Sequence, residues 1–401
     1  MPRPLLLLCL LALPAVADER LGTLLRWYLA EASPSRREDL LQAVEKLAGG
    51  DPAVVAKAIR EGAYLDRPAA PALLTEAPPP SFDGRRVDPL PLDKSAGHFA
   101  ILRLPEAYDP SLAWPLILDL GTNNFPAAPD VIFVKVKALP VQFPQGAQAA
   151  ESMLLGLLAH LGAICNVDAE RVYLQGELES ANLAWYVAFH NPDRFAGVLT
   201  ALGGWEEAAA LAPNARTFGA LAVEPRGNSA VLRRMLDAIG RENPLLTRLR
   251  RPEEDRELLA PFREWRGRTA RPPPPSRIVL VLDRPDPIRC FWLRAAPRVR
   301  SEQKLEFGQW IHRGMRSSGA IEAELDQEGL VRVKASGVTA FELHLDPALF
   351  PARTLRVSIN GGVPETRVVV PSIGDLLEDF RERRDPGILS FCKLSFGVRG
   401  R

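Results

Sequence analysis

The chain has 401 residues, more than one hydrophobic core usually organises, so two or three domains are expected. Hydrophobic residues make up 47% and charged residues 25%, a balance that allows folding and argues against broad disorder. A formal net charge of +1 gives no electrostatic case for nucleic acid or an acidic membrane surface as a partner.

The N-terminal "MPRPLLLLCLLALPAVADER" has a basic start at Arg3, an apolar run from Leu5 to Leu13, and small residues at Ala15 and Ala17. This pattern predicts a signal peptide over 1–17 and export, either secreted or periplasmic. No later segment approaches the ~20 apolar residues that a membrane span needs, so the exported chain is not expected to span a membrane. Residues 18–65 predict short amphipathic helices, with Leu21, Leu24, Leu25 and Tyr28 at helical spacing. A proline-rich linker follows over 66–80, and both it and the proline run at 271–276 are expected to stand clear of any core.

Over 81–270 strand and helix patterns alternate. "HFAILRLP", "WPLILDLG", "VIFVKVKAL", "RVYLQG", "AGVLTALGG" and "FGALAVEP" read as strands, separated by helices such as "AQAAESMLLGLLAHLGAI" and "SAVLRRMLDAIG". Strands spaced by helices of that length predict a doubly wound, mainly parallel α/β sheet covered on both faces. Over 277–401 the strands are short and alternating, which predicts an antiparallel β-sandwich. A short helix from Ile373 to Arg384 and a last strand "ILSFCKLSF" close the chain.

Cleavage of the signal would leave Cys165, Cys290 and Cys392, an odd count that frees at least one thiol. Cys290 and Cys392 could pair, but buried unpaired cysteines are the simpler expectation. No Cys/His cluster has zinc-site spacing, and neither a metal nor a cofactor is expected.

The chemistry turns on residues 171–197, "RVYLQGELESANLAWYVAFHNPDRFAG". A buried strand turns at Gly176 and runs straight into a helix, the layout of a nucleophile elbow. Such an elbow needs small residues for the sharp turn and a hydroxyl or thiol on its central residue. Gly176, Ser180 and Ala181 meet the first need, but the central position is Leu178. Ser180 stands two positions late and is better read as a residue of the helix start.

Around this stretch the chain resembles a secreted bacterial α/β-hydrolase family of the esterase and polyester-depolymerase type. The resemblance is carried by "LRLPEAYDPSLAWPLILDLG" and "NVDAERVYLQG…NPDRFAGVLTALGG" and covers roughly residues 98–235. It implies an α/β-hydrolase fold with the β-sandwich as an appendage. The catalytic positions that it implies are degenerate. The nucleophile position is Leu178, within Gly176, Glu177, Leu178, Glu179 and Ser180. Where the family has a His-Gly pair at the oxyanion loop, Leu120 is followed by Gly121 and Thr122. The acid position leaves Glu224 as a weak candidate, and Glu242 to Trp265, where the histidine belongs, contain none.

The five histidines stand at 98, 160, 190, 312 and 344, and each is expected to be a surface or structural residue. Glu177 and Glu179 flank Leu178, but residues on either side of a tight turn point apart, and a glycosidase pair must face across a bond. Trp205 and Glu206 stand where the next strand reaches the same rim and are candidate cleft residues, although a packed tryptophan is the simpler reading. Leu178 itself is expected to be buried, filling space that substrate would occupy.

These readings converge on an exported hydrolase-fold protein without catalytic residues that acts by binding an ester, peptide or glycan at the cell envelope. The alternatives are an active ester hydrolase or peptidase with an unorthodox site, and a carbohydrate or envelope binder that works through the β-module.

Overall fold

The computed structural model describes residues 17–65, 85–93, 98–121, 130–137, 143, 146–224, 229–250, 255–297, 319–326 and 328–398. The apolar N-terminal run and the first proline-rich stretch lie outside them.

Among the described residues, eight strands form one sheet: β1 (Arg85–Asp93), β2 (His98–Leu104), β3 (Trp114–Asp119), β4 (Ile132–Lys137), β5 (Val167–Glu177), β6 (Gly197–Ala201), β7 (Gly219–Glu224) and β8 (Leu246–Arg250). Their order across the sheet is β1-β2-β4-β3-β5-β6-β7-β8. β2 is antiparallel to both neighbours, and the strands from β4 to β8 run parallel. This is the sheet of the α/β-hydrolase fold. Two strands escape the sequence pattern. β1 carries prolines at 89 and 91, and β8 reads "LTRLR", so neither shows the apolar run of a buried strand. Both are edge strands, where proline and charge are tolerated because one side needs no ladder partner.

Strand residues alternate between two cores. Leu116, Leu118, Leu174 and Val198 face helices α4 (Ala147–Ile164), α5 (Glu179–His190) and α6 (Ala230–Glu242). Ile117, Tyr173, Leu199 and Leu221 face α7 (Leu259–Arg268) through Phe262 and Trp265. α4 is long and apolar enough, by length and composition, to cross a membrane. In the fold its Leu154, Leu157 and Leu161 are buried against the sheet.

The remaining strands pack as a β-sandwich. One sheet holds β10 (Ile288–Cys290), β11 (Leu293–Pro297), β14 (Val338–Leu345) and β17 (Cys392–Gly397). The other holds β9 (Arg277–Leu282), β12 (Gly319–Leu325), β13 (Leu330–Ser336), β15 (Thr354–Ile359) and β16 (Glu365–Val368). The pairs are antiparallel except β13 with β15, which run parallel.

Two contacts reshape the expected organisation. The N-terminal helices α1 (Ala17–Ala30), α2 (Pro34–Leu47) and α3 (Pro52–Arg60) share a core with α8 (Ile373–Arg383), through Leu25, Val44 and Ile59 on one side and Leu377 and Phe380 on the other. The chain's two ends therefore meet. The prolines of the second run are exposed or half-buried, as expected, but the run is tied down at both ends. Arg271, at its start, is 4% exposed. Its main-chain N–H donates to the Glu170 carbonyl at 2.8 Å. Further along, the Pro275 carbonyl accepts from Trp292 Nε1 at 2.7 Å.

Candidate functional site: the elbow at Leu178

β5 ends at Glu177 and α5 begins at Glu179, so a single residue turns strand into helix. Glycines make that possible by close approach. A Cβ on Gly176 would lie 2.3 Å from the Ser180 carbonyl oxygen, and one on Gly203 would lie 2.3 Å from the Ala181 Cβ. Leu178 sits at the apex with φ 57° and ψ −121°, and its N–H donates to the Ala201 carbonyl at 2.9 Å. A residue with a Cβ in such a region costs about 1–3 kcal/mol, and that strain persists only where the surroundings over-determine it. The backbone is thus the strained turn that lifts a nucleophile above the sheet, while the side chain is an isobutyl group.

Leu178 is 58% exposed. This corrects the expectation of a buried leucine filling a former substrate site: the elbow points its apex residue outward, whatever that residue is. Glu177 is half-buried and Glu179 exposed, one at each end of the turn. Glu179, in the first turn of α5, complements the helix dipole.

Ser180 closes the turn. Its Oγ accepts from the Glu177 N–H at 2.9 Å and donates to the Glu177 carbonyl at 2.7 Å. Both functions of the hydroxyl are thus spent on backbone. Ser180→Ala is expected to lower the unfolding free energy by about 1–2 kcal/mol, the range for losing a capping hydroxyl. Urea unfolding of the variant measures this, and an unchanged midpoint would mean that the hydroxyl is not needed for the turn.

Two further positions that the resemblance singles out can be placed. Gly121 has φ 114°, and its N–H donates to Asp119 Oδ1 at 3.3 Å; Thr122 lies outside the described residues. Glu224, at the end of β7, takes Arg248 Nε at 2.7 Å and Nη2 at 3.0 Å on its two oxygens. Those hydrogen bonds hold its carboxyl below the usual range. A carboxylate fixed this way is an ion-pair partner of the β8 edge.

Trp205 was a candidate for the cleft rim, and the structure corrects this. It is 5% exposed, with its ring centroid 5.4 Å from Phe143 and 5.8 Å from Tyr186. Its size and apolar body earn more inside the aromatic cluster than at a rim. Glu206 opens a 3-10 stretch, Glu206–Thr217, and its side chain lies outside the described residues.

Three of the histidines can be placed. His160 is exposed on α4. His190 is buried at the far end of α5, its Nδ1 2.7 Å from the Tyr186 carbonyl and its Nε2 2.8 Å from Asp283 Oδ1. His344 is buried on β14, 3.4 Å from Asp379. His312 and the side chain of His98 lie outside the described residues. Cys165, Cys290 and Cys392 are free and buried. Burial pushes the Cys165 thiol up to about 12, which removes the thiolate that a nucleophile requires. Among the described residues, no group of three His, Cys, Asp or Glu is placed to hold a metal.

Sequence reasoning missed the buried charges beneath the far end of α5. Asp193, Arg194, Arg271, Asp379, Arg383 and Asp385 are each 8% exposed or less. The available signal was the charged pair Asp193-Arg194, set between Pro192 and Phe195 in "NPDRFAG".

No protein-family model matches the chain, and no curated protein matches it. Among solved structures the chain is similar to a thermostable esterase, at 11% identity over 43% of this chain and 59% of that one, with a TM-score of 0.36. It is similar to the Porphyromonas gingivalis dipeptidyl peptidase 4, at 11% identity over 46% of this chain and 36% of that one, with a TM-score of 0.38. A ferulic acid esterase from Anaeromyces mucronatus shares 12% identity over 45% of this chain and 87% of that one, with a TM-score of 0.33. The chain thus spans less than two thirds of the length of the first two. At these TM-scores the likenesses do not bear on activity, and the fold assignment rests on the strand order.

Proposed function

We propose that this chain is an exported hydrolase-fold protein that acts by binding and does not turn over an ester or peptide at its elbow. The observation that carries this reading is Leu178: the nucleophile's backbone conformation is kept, and the atom that would attack is absent. Two further facts support it. Glu224 is committed to Arg248, and the segment from Glu242 to Trp265, which follows α6, contains no histidine. Loss of triad members costs several orders of magnitude in turnover. The ligand class in this reading is an ester, peptide or glycan of the cell envelope. Export is supported by the basic-apolar-small pattern of residues 1–17.

The test is turnover of p-nitrophenyl butyrate and labelling by a fluorophosphonate, with the native chain and Leu178→Ser side by side. Both proteins are expected to show background hydrolysis and no label. A serine at the apex is a weak nucleophile without a base to take its proton. Because Leu178 is exposed, the substitution should change stability by no more than about 0.5 kcal/mol, so silence of the variant would not reflect unfolding. Rapid labelling at position 178 would reveal an activating base and sink the reading. Native turnover that vanishes in Ser180→Ala would do the same.

A further inference from the structure

A second site, independent of what the elbow does, lies on the flank of the β-sandwich. Among the described strands β16 ends one sheet and β17 ends the other. The two edges lie on the same flank, since the Arg367 guanidinium on β16 stands 5.9 Å from the centroid of the Phe396 ring on β17. Beside that bridge a cavity of about 520 Å³ opens, with Val368 of β16 and Cys392 of β17 both on its lining.

The lining is apolar. Phe350 and Phe391, both buried in the cores, face it, while Val368 and Val370, 66% and 65% exposed, stand at its mouth. Sheet edges are normally guarded by charge. The charges of β16, Glu365 and Arg367, pair with each other and leave these valines uncovered. Exposed apolar surface gathered in one place marks a site where something binds. Arg353 is the one charged residue on the lining, and it is exposed. Its main-chain carbonyl accepts from the Val369 N–H at 2.8 Å, which fixes it beside the valines. Its side chain has no hydrogen bond or ion pair among the described residues. No described acid lines the cavity, and burial pushes the Cys392 thiol up, so that group stays uncharged.

Small-molecule sites are hollows of roughly 300–1,000 Å³ with mostly apolar walls and a few polar groups that fix orientation. Apolar walls with one unpaired cation at the mouth and no anion complement a molecule that has an apolar body and one negative end. A guanidinium takes a carboxylate through two parallel N–H···O bonds. A neutral apolar molecule would leave that guanidinium unused, and a small polar anion would leave the valines and phenylalanines unused. We infer that this cavity binds an aliphatic carboxylate, its tail against Phe350, Phe391 and the two valines and its carboxylate on Arg353.

Titration calorimetry of the full chain with octanoate tests this, beside octan-1-ol and acetate, which keep only the tail or only the charge. Octanoate is expected to bind saturably and about tenfold more tightly than either. Each buried methylene adds roughly fourfold in affinity, so hexanoate should bind several-fold more weakly than octanoate. Two variants at exposed positions, where substitution leaves the fold intact, locate the effect. Arg353→Gln is expected to weaken octanoate about tenfold and to leave octan-1-ol within about twofold. Val368→Asp sets a carboxylate at the mouth in place of an apolar wall, and it should weaken octanoate by about tenfold or more. No saturable octanoate binding, octanoate no tighter than octan-1-ol, or undiminished octanoate binding in either variant would overturn the inference.

Discussion

Asp193→Ala is expected to destabilise the protein by about 3–5 kcal/mol, the cost of leaving a buried charge without its partner. Asp193 follows the elbow helix, yet its contacts are with the C-terminal part of the chain. Its Oδ2 accepts from the Phe291 N–H at 2.5 Å and from Arg383 Nη2 at 2.8 Å. Its main-chain carbonyl accepts from Arg271 Nη1 at 3.0 Å. Phe291 also sits at φ 49°, so the hydrogen bond secures a backbone conformation that resists any residue with a Cβ. Without the carboxylate, Arg383 stays buried beside Arg194 and Arg289 with one fewer acid to offset three cations. Urea unfolding is the measurement. Asp193→Ala combined with Arg383→Met should recover part of the loss, because the second change removes the stranded charge. A single-variant loss below about 1 kcal/mol would show that solvent reaches this joint and screens it.

Acid is expected to be the second large perturbation, and Asp385 sets its window. Burial alone would raise the Asp385 carboxyl, but the charge and hydrogen bonds of Arg271 outweigh it and hold the group at about 2, against an ordinary value of 3.8. A carboxyl depressed on folding contributes stability that is fully present above its unfolded value and disappears as pH falls through its folded value. The loss should therefore run from about pH 4 to about pH 2 and amount to about 2 kcal/mol from this one group. Asp379, held well below the usual range by Arg289 and His344 against the same burial penalty, adds in the same direction. Melting temperature against pH, for the native chain and for Asp385→Asn, checks the sign. The variant should start lower at pH 7 and fall less between pH 4 and pH 2. Parallel curves would mean that the acid sensitivity resides elsewhere.

The two α/β cores were legible in the sequence because they rest on local patterns. Val172, Tyr173 and Leu174 form an apolar run that only a strand buried on both faces requires. The elbow was legible for a related reason. A one-residue turn from strand to helix demands small side chains at fixed offsets, and Gly176, Ser180 and Ala181 stand at those offsets. That the apex residue is a leucine, which has no atom to attack with, and that Glu242 to Trp265 hold no histidine were legible directly from residue type.

Four features were not legible. β8 was hidden because an edge strand tolerates the arginines of "LTRLR". The outward turn of Leu178 was hidden because side-chain direction follows from φ and ψ at the apex, and hydrophobicity argued the other way. Trp205 reads the same in sequence whether it lines a cleft or fills a core, and only its aromatic neighbours decide. The union of α1–α3 with α8 joins residues some 350 positions apart, as in the bond from Tyr28 Oη to Glu378 Oε1, and no periodicity reports such a partner.

By itself, then, the sequence determined the sheet, the sharp turn and the leucine at its apex, each a matter of residue type against its chain neighbours. Tertiary structure alone decided which of 50 cations meet which of 49 anions. Coulomb and hydrogen-bond energies depend on separations of a few ångströms in a dry interior, and those separations are set by how the sheet, the sandwich and the two chain ends pack together.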